Sequence, residues 1–236
     1  MLYSAVRFVF RWAVPQAVKT LLFDGRFPAL NRLRAGMESR AGHDAIYDRV
    51  YYAEIDQYML HAASVISGSI LSRWPDVRSV LDVGCGTGAL LAELSRRGVS
   101  GIGLEKSAEA IRVCKERGVD VRTHDLEAGG PSPYRVDLVI STEVAEHLPE
   151  SLADTFIDFL TASGPRVVMT AATPGQGGTD HVNEQPHEYW IAKMSDRGFT
   201  FDATTTTAWR ETWRRAEIDQ SYVRNVMVFE SSRGRA

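Results

Sequence analysis

The chain has 236 residues, 44% of them hydrophobic and 24% charged, the proportions of a soluble globular protein long enough for one large α/β domain with a full core. Its two cysteines, Cys85 and Cys114, are too few for a disulfide framework and form no CxxC motif, so a reducing, cytoplasmic setting is expected. The net charge is −3, but residues 1–40 carry seven basic side chains against Asp24 and Glu38, a balance of +5 that leaves −8 on the remainder and argues against a general nucleic-acid-binding surface on the main domain.

The opening MLYSAVRFVFRWAVPQAVKTLLF is apolar and aromatic but is broken by Arg7, Arg11, Pro15 and Lys19. It falls short of the roughly 18 uninterrupted apolar residues of a membrane-spanning helix, and it has no small-residue cleavage site of the kind that ends a signal peptide. Residues 1–40 are therefore read as a basic amphipathic extension to a main domain over 41–236. The extension either lies on an anionic membrane or partner, giving a membrane-peripheral protein, or packs on the main domain with snorkelling arginines.

Residues 40–74 read as mostly helical. From about residue 75 strand-like and helix-like patterns alternate, which predicts a Rossmann-like, doubly wound sheet with helices on both faces. SVLDV (79–83) is the first strand and GALLAELSRRG (88–98) the helix after it. GIGLE (101–105) and SAEAIRVCKERG (107–118) repeat the unit, with Ser107 as helix N-cap and glycine as stop. VDVRT (119–123), VDLVIS (136–141) and RVVMTAA (166–172) supply three more strands, and residues 149–164 and 185–198 two more helices. FTFDATTTTAW and YVRNVMVFES are β-rich and close the chain.

The first strand ends in LDVGCGTG, which contains Asp82, Gly84, Cys85, Gly86 and Gly88, and the second ends in Glu105, 21 positions after Gly84. Glycines at a strand-to-helix junction let backbone amides approach a ligand, and an acid at the end of the next strand suits ribose hydroxyls. The spacing G-x-G-x-G differs from the G-x-G-x-x-G of dinucleotide sites. A carboxylate at position 82 would repel a pyrophosphate and attract a cation.

This pattern resembles motif I of the class I S-adenosylmethionine-dependent methyltransferases, over about residues 47–230. The resemblance implies a seven-stranded mixed sheet with an antiparallel last strand. It implies that Gly84, Cys85, Gly86 and Gly88, with Asp82, lie against the methionine portion of the cofactor. Glu105 would hold the ribose hydroxyls, with Lys106 beside it. Asp125 and Leu126 would meet the adenine, and Ser141 with Thr142 would lie beside the methionine again.

After the fourth strand comes STEVAEHLP, with Glu143, Glu146 and His147 at offsets that share one face of a helix. The C-terminal ends of parallel strands face the ligand crevice, so this cluster has the location for acceptor chemistry. The segment resembles the ubiquinone-biosynthesis O-methyltransferases and the small-RNA 3′-terminal ribose 2′-O-methyltransferases. In the latter, two such glutamates, this histidine and a later one hold a divalent cation. By that resemblance Glu143, Glu146, His147 and His181, with His187 as a substitute, would bind Mg²⁺ or Mn²⁺. Without a metal, His147 or His181 would be the general base, with Glu143 beside it. A third reading makes the glutamates only the electrostatically favoured start of a helix.

The 173–190 segment brings His181, Asn183, Gln185, Tyr189 and Trp190 after the fifth strand, a polar and aromatic mixture suited to a hydroxylated acceptor. Tyr47, Tyr51 and Tyr52 either close over the cofactor or pack in the core. The expected activity is methyl transfer from S-adenosylmethionine to a hydroxyl of a small molecule, sugar or glycolipid. RNA ribose methylation and a cofactor-binding protein without turnover are the alternatives.

Overall fold

A computed structural model describes Tyr47 and residues 49–232. The basic extension over 1–40, its boundary and its membrane contact therefore lie outside the described residues. Among those described, no helix is long and apolar enough to cross a membrane.

A long helix, α1 (Arg49–Arg73), precedes the sheet. The alternation then runs β1 (Ser79–Val83), α2 (Ala89–Arg96), β2 (Ser100–Glu105), α3 (Ala108–Glu116), β3 (Val121–Thr123), β4 (Leu138–Ser141), α4 (Ala153–Ser163) and β5 (Arg166–Met169). After it come α5 (His187–Asp196), β6 (Phe199–Phe201), α6 (Ala203–Arg215), α7 (Gln220–Asn225) and β7 (Met227–Ser231). The seven strands form one sheet in the order β3-β2-β1-β4-β5-β7-β6. β1 to β5 pair in parallel, and β7 runs antiparallel between β5 and β6.

Central strands of such a sheet are buried on both faces, so they read as continuous apolar runs, and consecutive side chains point to opposite layers. Val80, Leu138, Ile140, Val168 and Val228 pack under α1, α2 and α6 with Ile66, Ile70, Leu94 and Trp213. Their neighbours Leu81, Val139, Val167, Met169, Met227 and Phe229 face the other way, against Phe156, Leu160, Trp190 and Met194 of α4 and α5. β1 pairs with β2 on one side and β4 on the other. The connections leaving these strands diverge, and the divergence opens a crevice at their C-terminal ends.

Four sequence expectations change. The strands over 119–123, 136–141 and 166–172 are shorter, covering Val121–Thr123, Leu138–Ser141 and Arg166–Met169. FTFDATTTTAW is a strand only over Phe199–Phe201, and its threonine run begins α6. The Asp202 carboxylate accepts from the Thr205 amide at 2.9 Å as an N-cap, and Thr206, Trp209 and Trp213 form the buried face of the helix. Burying two tryptophans at helical spacing outweighs the β preference of threonine, which is worth only tenths of a kcal/mol per residue. Likewise YVRNVMVFES begins in α7, capped by Asp219, and only Met227–Ser231 is strand. The 149–164 helix starts as a 3₁₀ turn, Glu150–Leu152, before α4.

Trp213 is fully buried, stacks on Trp209 with ring centroids 5.6 Å apart and donates from Nε1 to Ser69 Oγ at 3.0 Å. It therefore joins α6 to α1. Trp213→Ala is expected to cost about 3–5 kcal/mol of unfolding free energy, as large-to-small core changes do. Urea denaturation of the two proteins measures the difference.

Candidate active site

The crevice holds a cavity of about 420 Å³. Its floor is the turn after β1, where Gly84, Gly86 and Gly88 adopt φ of 77°, 52° and 72°, the left-handed region in which a side chain is strained. At Gly84 a Cβ would fall 2.3 Å from Val144 Cγ2, so the turn after β4 packs directly onto this loop. At Gly88 a Cβ would fall 2.9 Å from Cys114 Sγ. Gly88 is outside the cavity wall and serves the packing of α2 on α3, whereas Asp82, Gly84, Cys85 and Gly86 line the wall.

Glu105 is buried and organises this end. Its Oε2 accepts from the Gly86 amide at 2.9 Å, and its Oε1 accepts from the amides of Lys106 and Ser107 at 2.8 and 2.9 Å. Asp82 is also buried, and burial, then the charge of Glu105, push its carboxyl up to about 7. Two carboxylates in one dry pocket form a receptor for positive charge.

Lys106, Asp125, Leu126 and Glu127 continue the wall. Lys106 Nζ lies 3.0 Å from both the Asp125 and the Glu127 carboxylates. Asp125 also caps the 3₁₀ turn Leu126–Ala128 by accepting from the Glu127 amide at 3.0 Å. Of the expected pair Ser141 and Thr142, the two side chains are placed differently. The Ser141 hydroxyl donates to the Val83 carbonyl at 2.9 Å inside the sheet, and the wall is reached by Thr142 instead.

The ExxEH segment is not an α-helix. Glu143 has φ of 55°, and Ala145–His147 form a single 3₁₀ turn. A left-handed, non-glycine residue stores of order 1–3 kcal/mol of strain. It persists here because the Glu143 amide donates to Thr170 Oγ1 at 2.6 Å and that hydroxyl donates to Glu143 Oε1 at 2.8 Å. The turn sends Glu143 toward Thr170 and takes it out of the four-residue metal set. The remaining three, Glu146, His147 and His181, have potential ligand atoms all within 4.8 Å of one another.

His147 Nδ1 lies 3.2 Å from the Asp180 carbonyl and 3.2 Å from the Tyr47 hydroxyl. A carbonyl can only accept, so the Asp180 contact is a hydrogen bond when Nδ1 carries a proton, while the Tyr47 hydroxyl can meet the same nitrogen as donor or acceptor. His181 is set in the same way. Its Nδ1 meets Glu184 Oε1 at 3.0 Å, and Glu184 is itself held by the amides of Gly175 and Gly177 at 2.8 and 2.7 Å. The two rings lie edge to face, centroids 5.1 Å apart. The His181 ring packs on Gly178, where a Cβ would fall 2.1 Å from Nε2. His187, the substitute, is at the start of α5 beside Arg210 Nη2 at 3.4 Å and is absent from the cavity wall.

Glu146 is fully buried, and neither of its carboxylate oxygens has a hydrogen-bond partner among the described residues. Its own amide and that of Ala172 lie nearby without reaching bonding geometry. Burial, then the charge of Glu143, raise its carboxyl well above the ordinary range. Its main-chain carbonyl accepts from the amides of Val182 and Asn183 at 2.9 and 3.1 Å, which pins the 173–186 loop to the 3₁₀ turn.

Tyr47, Tyr51 and Tyr52 all line the cavity. Sequence reasoning missed Asp219, Ser221 and Tyr222, which reach the same cavity from the start of α7. It also missed Glu184 behind His181. The signal for the first group was the cap pattern Asp219-x-Ser221, in which the aspartate accepts from the Ser221 amide at 2.8 Å.

Residues 53–214 match a family model described as a methyltransferase domain. The match ends before Asp219, Ser221 and Tyr222. A trans-aconitate 2-methyltransferase of Mycobacterium tuberculosis (strain ATCC 25177 / H37Ra) is 32% identical over 100 residues, 42% of this chain and 38% of that protein. A ubiquinone biosynthesis O-methyltransferase of Aeromonas salmonicida (strain A449) is 28% identical over 51% of this chain and 53% of its own. The chain thus spans about half or less of the length of these curated relatives. A crystal structure of magnesium protoporphyrin IX methyltransferase from Synechocystis PCC 6803 with bound SAH superposes with a TM-score of 0.57 at 17% identity, covering 91% of this chain and 100% of that one.

The Asp82 carboxyl is expected to titrate in the folded, ligand-free protein with a midpoint near 7. Carbon-13 NMR of labelled aspartate measures it, and Glu105→Gln, by removing a neighbouring charge, lowers the midpoint. A raised folded pKa contributes stability that is complete below the unfolded value of about 3.9 and is lost as pH rises through 7.

Proposed function

The chain belongs to the methyltransferase-domain family and has the class I S-adenosylmethionine-dependent methyltransferase fold, and on that premise we propose that it transfers a methyl group from S-adenosylmethionine to a hydroxyl oxygen of a small molecule, sugar or glycolipid. The observation that carries this reading is that one cavity joins a cation-attracting carboxylate pair, Asp82 and Glu105, to two histidines each held at Nδ1, His147 and His181.

The residues fit the cofactor. Gly86 leaves the glycine loop open, with nothing within 4 Å of where a Cβ would stand, and Asp82 is a buried carboxylate suited to an amino group or a sulfonium. Glu105 would accept from ribose hydroxyls, while Asp125, Lys106 and Leu126 border the adenine end. S-adenosylmethionine supplies an activated methyl on sulfur, which the acceptor oxygen takes in line while the C–S bonding pair stays on sulfur. His181 Nε2 takes the acceptor's proton, and the Glu184 carboxylate at its other nitrogen stabilises the imidazolium. His147, held by Tyr47 and the Asp180 carbonyl, orients the acceptor. The Aeromonas relative's name as an O-methyltransferase supports oxygen as the acceptor atom.

A second reading of the same residues is favoured by the two oxygens of Glu146, which have no hydrogen-bond partner among the described residues. A carboxylate and two imidazoles in mutual reach suit Mg²⁺, Mn²⁺ or a similar ion, which would hold vicinal hydroxyls and acidify one of them.

Labelled S-adenosylmethionine with a panel of phenols, sugars and glycolipids tests the first reading. His181→Ala is expected to lower kcat by about 10²-fold or more while leaving S-adenosylhomocysteine affinity, read by calorimetry, within about twofold. Wild-type turnover with unchanged kcat in the variant would overturn the base. EDTA separates the two readings. On the metal reading it abolishes turnover and added Mg²⁺ or Mn²⁺ restores it, whereas on the base reading it changes nothing.

A further inference from the structure

α1 supplies Tyr51, Tyr52, Ile55 and Met59 to the cavity wall, facing the glycine loop across the cofactor half. Between helix and loop stands a closed set of contacts. Thr87, the residue between Gly86 and Gly88, is buried and is gripped at both of its polar groups. Its hydroxyl donates to Asp56 Oδ1 of α1 at 2.6 Å, and its carbonyl accepts from Arg117 Nη1 at 2.6 Å. Arg117, the C-cap of α3, closes the ring by donating from Nη2 to both Asp56 oxygens at 2.9 and 2.7 Å.

We propose that Asp56 and Arg117 are cofactor-positioning residues, which hold the glycine loop through Thr87 and seat the tyrosine-bearing helix α1 against it. The inference rests on reading this cavity as the S-adenosylmethionine site. A loop with three glycines at positive φ has no intrinsic preference for one shape, since glycine has the largest conformational entropy to lose. Its binding geometry must be imposed from outside. Glu105 imposes it at Gly86 and the Asp56–Arg117 pair at Thr87, two successive residues of the loop. Such preorganisation removes an ordering cost from ligand binding.

An exposed ion pair would be worth little. This one has side chains only 20% and 22% exposed, meets two-point geometry, and spends a further donor on a main-chain carbonyl. Only a guanidinium fork reaches a carboxylate and a carbonyl at once, so a lysine at 117 holds one or the other. The Thr87 hydroxyl is directed at Asp56, which assigns it a scaffold role rather than a ligand contact.

The test uses the full chain and S-adenosylhomocysteine as the probe, with calorimetry for affinity, initial rates for kcat and KM, and circular dichroism for folding. Arg117→Lys is expected to raise the dissociation constant about tenfold, the loss of one charge-assisted hydrogen bond, while kcat at saturating cofactor stays within about twofold. Thr87→Val keeps the side-chain shape and the Asp56–Arg117 pair, and removes only the hydroxyl's contact. It is expected to fold and to weaken cofactor binding severalfold, with acceptor KM unchanged. Wild-type protein that does not bind the probe would refute the cofactor reading itself. Wild-type binding with variants that bind equally well but melt earlier would assign the pair to stability alone and overturn the proposal. If Arg117→Lys does not fold, Thr87→Val decides.

Discussion

The Glu105 carboxylate is the constraint on which the cofactor half depends. It lies at the end of β2, and three backbone amides converge on it from two directions, the glycine loop and the start of α3. Those amides have no secondary-structure partners of their own, and leaving them unsatisfied in a buried place costs about 1–3 kcal/mol each. A single side chain therefore fixes the mouth of the first two βα units relative to each other. It also brings negative charge close to Asp82, and the two carboxylates in one dry crevice repel. The folded protein thus holds an electrostatic tension that a cation relieves, so binding and local stability share one origin.

The fold was largely legible in the residues. Apolar runs of four or five, most of them followed by a helix with glycine at its end, leave a parallel sheet as the reading that buries the central strands. Gly84, Gly86 and Glu105 were legible for a related reason, because chain order places them at adjacent strand tips. The acceptor half was less so. Glu143, Glu146 and His147 have helix-like spacing, yet the backbone leaves β4 through a left-handed residue, a tertiary outcome fixed by Thr170, which lies far off in sequence. α6 was hidden by its threonines, whose weak β preference yields to burial of Trp209 and Trp213. The contacts of Thr87 with Asp56 and Arg117, separated by 31 and 30 positions, follow no short-range rule at all.

The histidine side of the cavity is assembled by the backbone as much as by side chains. The Glu146 carbonyl receives the amides of Val182 and Asn183, so the 3₁₀ turn after β4 and the loop after β5 form one unit. His147 and His181 belong to different segments but are kept in register by that pair of bonds. Each ring is further oriented by a contact at Nδ1. Loops are ordinarily the pliable parts of a fold. Here the pliability is removed at the carbonyl of a residue whose own carboxylate has no hydrogen-bond partner among the described residues.

α7 extends the cavity beyond the residues that the family model matches. The match ends at residue 214, while Asp219, Ser221 and Tyr222 stand in the wall. A late turn between α6 and β7 thus adds its own surface to the cavity. Substitutions in that turn need not disturb the glycine loop, because β7 holds its place in the sheet through main-chain bonds to β5 and β6.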